Sequence, residues 1–129
     1  MLRLLTGVVG GYLLFAFAAV VIFQVLGRDP RAPAPPAIMV GTIGAGLIAA
    51  FVGGYVGAIV ARGRERTAGL VIGGIILTIA IAALVAEPGS GARWSQLAAI
   101  FMAPAALLGS LIRARRVAHS DKILRPPEP

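Results

Sequence analysis

The chain has 129 residues, 58% of them hydrophobic and only 13% charged, with a net charge of +7. Soluble domains carry roughly 25% charged residues; here the charges sit in short segments between long apolar runs, the pattern of a polytopic membrane protein. The absence of cysteine excludes a disulfide framework, a thiolate metal site and a cysteine nucleophile, and the lack of a basic soluble domain argues against nucleic acid as the reason for the charge.

In chain order, a basic start at Arg3 precedes an uncharged apolar run over 4–26. This exceeds the roughly 20 residues that cross a bilayer. Ala16-Phe17-Ala18 mimics a signal-peptide cleavage site, but the run continues well past it, which favours a retained anchor. Gly27 is placed to cap this helix, and Asp29-Pro30 and the following prolines form a stiff connection.

The second span is expected over 38–61. Read every fourth residue, it gives Gly41, Ala45, Ala49, Gly53, Gly57 and Ala61, and the adjacent row is Gly46, Ala50, Gly54 and Ala58. Residues four apart form a ridge on a helix, so one side is nearly bare of side chains. Such surfaces let helix backbones approach closely in a membrane.

Arg62-Gly63-Arg64-Glu65-Arg66 forms a tight basic loop, with Thr67 as the expected N-cap of a third span over 68–86. That span carries Gly69 and Gly73, and a row of Gly74, Thr78, Ala82 and Ala86. The short loop makes the second and third spans antiparallel neighbours, expected to share their small faces. A turn containing Glu87, Pro88, Gly89 and Gly91 leads to Trp94, an indole suited to the headgroup layer. The fourth span, 94–112, contains Pro104, expected to kink it. Residues 1–113 then make the membrane domain and 114–129 a basic, Pro-rich cytoplasmic tail.

If both termini are cytoplasmic, that side holds nine Lys and Arg residues, namely Arg3, Arg62, Arg64, Arg66, Arg113, Arg115, Arg116, Lys122 and Arg125. The other side holds only Arg28, Arg31 and Arg93. The positive-inside bias therefore sets an N-in/C-in orientation. The expected fold is all-α, with four transmembrane helices in a compact antiparallel bundle. Trp94, Arg62, Arg64, Arg66, Arg113, Arg115 and Arg116 are its interface anchors, in contact with anionic lipid headgroups.

Chemistry inside a membrane usually shows as ionisable residues within spans, and none of the four runs contains one. Glu87 lies at a span mouth, and His119, the single histidine, in the tail. Tyr12 and Tyr55 need hydroxyl partners, expected among Thr6, Thr42, Thr78 or a main-chain carbonyl. No nucleophile, acid–base pair or metal cluster can be named, so an enzyme is not expected.

Small multidrug exporters carry a glutamate in the first span and small fluoride channels an asparagine-bearing pore segment, and this chain has neither. The four-span layout, with Gly27-Arg28-Asp29-Pro30 and Gly91-Ala92-Arg93-Trp94-Ser95-Gln96, resembles uncharacterised small four-helix bacterial inner-membrane proteins. That resemblance implies a location and fold, without an activity. The expected function is a non-catalytic accessory subunit of a larger membrane complex, of respiratory or photosynthetic type. It would pack through Gly41, Ala45, Ala49, Gly53, Gly57, Ala61, Gly46, Gly54, Gly69 and Gly73, with lipid, quinone or pigment contact left open. The alternative is a small homo-oligomeric transporter or channel.

Overall fold

The computed structural model describes residues 1–27, 35–86 and 93–125, and of residues 93–96 the backbone alone. It is all-α. The helices are α1 (Leu2–Leu26), α2 (Pro36–Val60), α3 (Glu65–Ala86) and α4 (Arg93–Leu124). Each is long and apolar enough to span a membrane. At 1.5 Å per residue, the 25 residues of α1 or α2 rise about 37 Å, against roughly 30 Å of hydrocarbon.

The ends follow local chemistry. Gly27 adopts the left-handed conformation at φ 58° and donates its N–H to the Gln24 and Phe23 carbonyls, closing α1. Helix α2 begins at Pro36, two residues earlier than its apolar run, because proline's fixed φ suits the first helical turn. Helix α3 begins at Glu65, so Thr67 is not its cap. Gly63 turns the chain at φ 84°, and its N–H donates to Glu65 Oε1 at 2.9 Å. The Ala68 N–H already reaches the Arg64 carbonyl at 3.0 Å, which winds Thr67 into the first turn. Helix α4 runs through Pro104 and beyond the expected boundary at Ile112, so residues 114–124 of the expected tail are helical. Pro126 to Pro129, the Asp29-Pro30 connection and Glu87 lie outside the described residues.

Around the bundle the order is α1, α2, α4, α3. Helices α1 and α2, α2 and α4, and α3 and α4 share long contacts; α2 and α1 each meet α3 over a short stretch, and the backbones of α1 and α4 stay apart among the described residues. Facing pairs give the directions. Gly7 meets Gly57 and Gly11 meets Gly53, so α1 and α2 are antiparallel. Gly46 faces Met102 and Gly54 faces Ala106, so α2 and α4 run parallel; Gly69 against Ser110 and Gly73 against Ala103 make α3 and α4 antiparallel. The sharing of small faces between α2 and α3 expected from the sequence is therefore not what forms. Helix α4 sits beside both and takes most of the contact.

The interior is built of small residues. Among the described residues, eight of the eleven buried hydrophobic ones are alanines, and Ile72 is the only large apolar side chain that is fully buried. Leu13, Phe17, Val40, Ile48, Leu70, Val85, Phe101 and Leu108 are exposed instead. A core of alanine with large apolar groups outside inverts the usual soluble arrangement. It suits a hydrocarbon solvent, where association depends on backbone proximity and dispersion.

Candidate functional site

Three features bear on function: the small-residue helix faces, engaged within the chain or left open, a crevice at one end of the bundle, and an arginine-rich opposite end.

Consecutive residues lie about 100° apart around a helix, so the two small rows of α2 face different neighbours. Gly53 and Gly57 face α1. A Cβ built on Gly53 would stand 2.8 Å from the Gly11 carbonyl oxygen, and one on Gly57 would stand 2.9 Å from that of Gly7. Reciprocally, Cβ atoms on Gly7 and Gly11 would lie 2.6 Å from the Gly57 and Gly53 oxygens. Ala61 closes this seam against Gly7, and Ile72 of α3 wedges its Cδ1 between Gly11 and Gly57. The other row faces α4: Gly54 lies on the Ala106 backbone, and the thioether end of Met102 fills the space beside Gly46. Gly109 of α4 in turn lies on the Phe51 carbonyl. On α3, Gly69 receives the Ser110 side chain, and a Cβ on Gly73 would lie 3.0 Å from the Ala103 carbonyl oxygen.

Of the sequence-selected packing residues, Gly46, Gly53, Gly54, Gly57, Ala61, Gly69 and Gly73 are buried. Ala45 and Ala49 are half-buried, and Gly41 is exposed with open space beside it. Gly74, Thr78, Ala82 and Ala86 all lie on the exposed side of α3, and a Cβ on Gly74 would meet nothing within 4 Å. This row has no partner helix among the described residues of the chain.

The crevice, about 250 Å³, opens where the second halves of α1 and α3 meet the first halves of α2 and α4. Tyr12, Phe15, Ile22 and Phe23 of α1 line one wall, with Thr42, Ile43, Gly46 and Ala49 of α2, Ile76 and Ala80 of α3, and Ala98, Ala99 and Met102 of α4 opposite. Its surface is almost wholly apolar. Thr42 donates its hydroxyl to the Ile38 carbonyl at 2.8 Å, so it offers no free donor to the crevice. Sequence reasoning missed this feature. Its signal, alanine-rich segments on four helices, marks close packing equally well.

Thr6 and Thr78 likewise bond their own helix, to Leu2 at 2.9 Å and Gly74 at 2.8 Å. Among the described residues no hydrogen bond joins the Tyr12 or Tyr55 hydroxyl to any of these threonines. A threonine on a helix reaches its own i−4 carbonyl more readily than a neighbouring helix.

At the opposite end, Arg62, Arg64, Arg66, Arg115 and Arg116 are exposed, and Arg113 is half-buried with its Nε lacking a hydrogen-bond partner. Met1, Leu2, Arg3, Leu4, Ala61, Arg62, Gly63 and Arg64 surround a recess of about 400 Å³ between the start of α1 and the α2–α3 turn. Trp94 falls in the first turn of α4, but its side chain lies outside the described residues. His119 is exposed on α4. Among the described residues no three His, Asp or Glu side chains come together.

No protein-family model matches the chain, and no curated protein or solved structure matches it either.

Proposed function

We propose that this chain is a non-catalytic, multi-pass subunit of a larger membrane protein assembly in the bacterial inner membrane, with both termini cytoplasmic. One observation carries the reading: the row Gly74, Thr78, Ala82, Ala86 stands exposed on α3 while the glycines facing α1, α2 and α4 are engaged within the chain. The occupant of that row is a transmembrane helix of a partner subunit, because a bare i, i+4 ridge lets another backbone come close. The orientation is supported by the gathering of Arg3, Arg62, Arg64, Arg66, Arg113, Arg115 and Arg116 at one end of the helices.

The test is co-purification in mild detergent followed by mass analysis. Gly74→Leu and Ala82→Leu are expected to leave the chain folded and inserted but to release its partner. Gly10→Leu, equally open on α1, should keep it. Unchanged partner recovery from both α3 variants would overturn the packing role. A defined homo-oligomer as the sole product would favour a small transporter or channel instead. For orientation, a reporter fused after Pro129 should read cytoplasmic, and a periplasmic signal would reverse it.

A further inference from the structure

We propose that the recess between the start of α1 and the α2–α3 turn is a phosphate-binding site that holds the headgroup of an anionic phospholipid. The proposal rests on the cytoplasmic placement given above and deepens it from general attraction to a defined site.

Three arginines from two separate segments line this one recess: Arg3 from α1, and Arg62 and Arg64 from the turn. Among the described residues none of the three has an ion pair. The nearest carboxylate in sequence, Glu65, accepts a hydrogen bond from the Gly63 N–H and so is engaged with the turn's backbone. Three arginines around one recess place like charges near one another, and an anion held there relieves that repulsion. Guanidinium forks match phosphate oxygens two at a time, so phosphate fits this set better than a monovalent halide would.

The rest of the lining points to a lipid as the source of the phosphate. Leu4 and the buried Ala61 form the side of the recess toward the apolar body of the bundle. Acyl chains leaving a bound headgroup would run along the exposed apolar surface of α1, where Leu5 and Val9 stand. Arg115, Arg116 and Lys122 are exposed further along α4. They supply charge to the same side without lining this recess.

The experiment uses the full chain in neutral phosphatidylcholine nanodiscs, titrated with dioctanoyl phosphatidylglycerol and read by native mass spectrometry. Saturable binding of one lipid is expected. A basic side chain beside an anionic lipid contributes on the order of a fivefold factor, so Arg3→Gln with Arg62→Gln and Arg64→Gln should weaken binding at least about tenfold. Arg115→Gln with Arg116→Gln and Lys122→Gln removes the same charge and should change it by less than about twofold. Equal losses in the two triple variants would mean diffuse attraction and overturn the site, as would binding that never saturates. Millimolar inorganic phosphate separates the two sources. Lipid that stays bound supports the headgroup, whereas displacement by phosphate at equal concentration would overturn the lipid assignment in favour of the free ion. The measurement needs no partner chain, so it succeeds or fails independently of the α3 packing test.

Discussion

Gly10 and Gly11 are neighbours on α1 and offer a matched test of the packing described here. A Cβ on Gly10 meets nothing within 4 Å. A Cβ on Gly11 would lie 2.6 Å from the Gly53 carbonyl oxygen, 2.9 Å from Ile72 Cδ1 and 3.2 Å from Gly57 Cα. Ile72 can rotate away, but the Gly53 carbonyl belongs to the α2 backbone and cannot. Ordinary contact begins near 3.4 Å, so Gly11→Ala must push α1 off α2 by about 0.8 Å. A gap of that size forfeits roughly a quarter to a half of each dispersion contact it opens, and it opens the Gly7–Gly57 pair as well.

Overpacking of this kind costs about 1–3 kcal/mol. Alanine regains about 0.5–1 kcal/mol over glycine within a helix. The net expectation for Gly11→Ala is a destabilisation of up to about 2.5 kcal/mol, while Gly10→Ala keeps the helix gain alone and should be the more stable of the two. The assay is unfolding in mixed micelles of mild detergent and dodecyl sulfate, followed by circular dichroism. Equal stability of the two variants, or a more stable Gly11→Ala, would refute the α1–α2 seam.

Two further outcomes test the other contacts. Gly54→Ala should destabilise by up to about 2.5 kcal/mol net of the helix gain, because its methyl meets the Ala106 backbone, whereas Gly46→Ala should be nearly neutral because it meets only the flexible end of Met102; the same unfolding assay ranks them. Gly69→Ala places its methyl against Ser110, a residue with 0% exposure whose Oγ donates to the Leu107 carbonyl at 2.7 Å. Adding Ser110→Gly should restore at least about half of that loss, and a double-mutant cycle showing plain additivity would refute the direct contact.

Length and apolarity made the four helices legible, and the spacing of Gly53, Gly57, Gly46 and Gly54 identified the bare faces of α2. Which helix each face meets was not legible. Spacing tells which residues share a face, while the partner depends on the order around the bundle. The α2–α3 turn is short, yet a short turn fixes proximity at one end only, and α4 enters beside both helices. Gly74, Thr78, Ala82 and Ala86 looked equivalent to the α2 rows and lie outside instead. The continuation of α4 past Ile112 was hidden by charge, because Arg113-Ala114-Arg115-Arg116 reads as a solvated segment. Arginine and alanine are nevertheless strong helix formers, and the stretch from Arg113 to Arg125 contains no proline or glycine to stop them.

The crevice and the tight seams follow in part from where α1, α3 and α4 keep their glycines, since those of α2 run along its whole length. In α1 they are Gly7, Gly10 and Gly11, and in α3 they are Gly69, Gly73 and Gly74, all in the first half of the helix. Helices α1 and α3 run parallel, since each is antiparallel to one of the parallel pair α2 and α4, so these glycines gather at the arginine-rich end. Gly109, in the second half of the antiparallel α4, joins them there. Interhelical distance is set by the side chains at the contact. At that end backbone lies on backbone. Toward the other end α1 presents Tyr12, Phe15, Ile22 and Phe23, and only 11% of its apolar span is buried, against 33% for α2 and for α3. Bulky groups on α1 hold it away from partners that remain slim, and the space left is the 250 Å³ crevice. An apolar cavity of even about 150 Å³ stays dry and accepts small apolar molecules. In the hydrocarbon solvent that we propose surrounds the bundle, the open crevice carries no penalty of exposure to water, and the backbone contacts at the arginine-rich end are the closest ones that hold α1 in place.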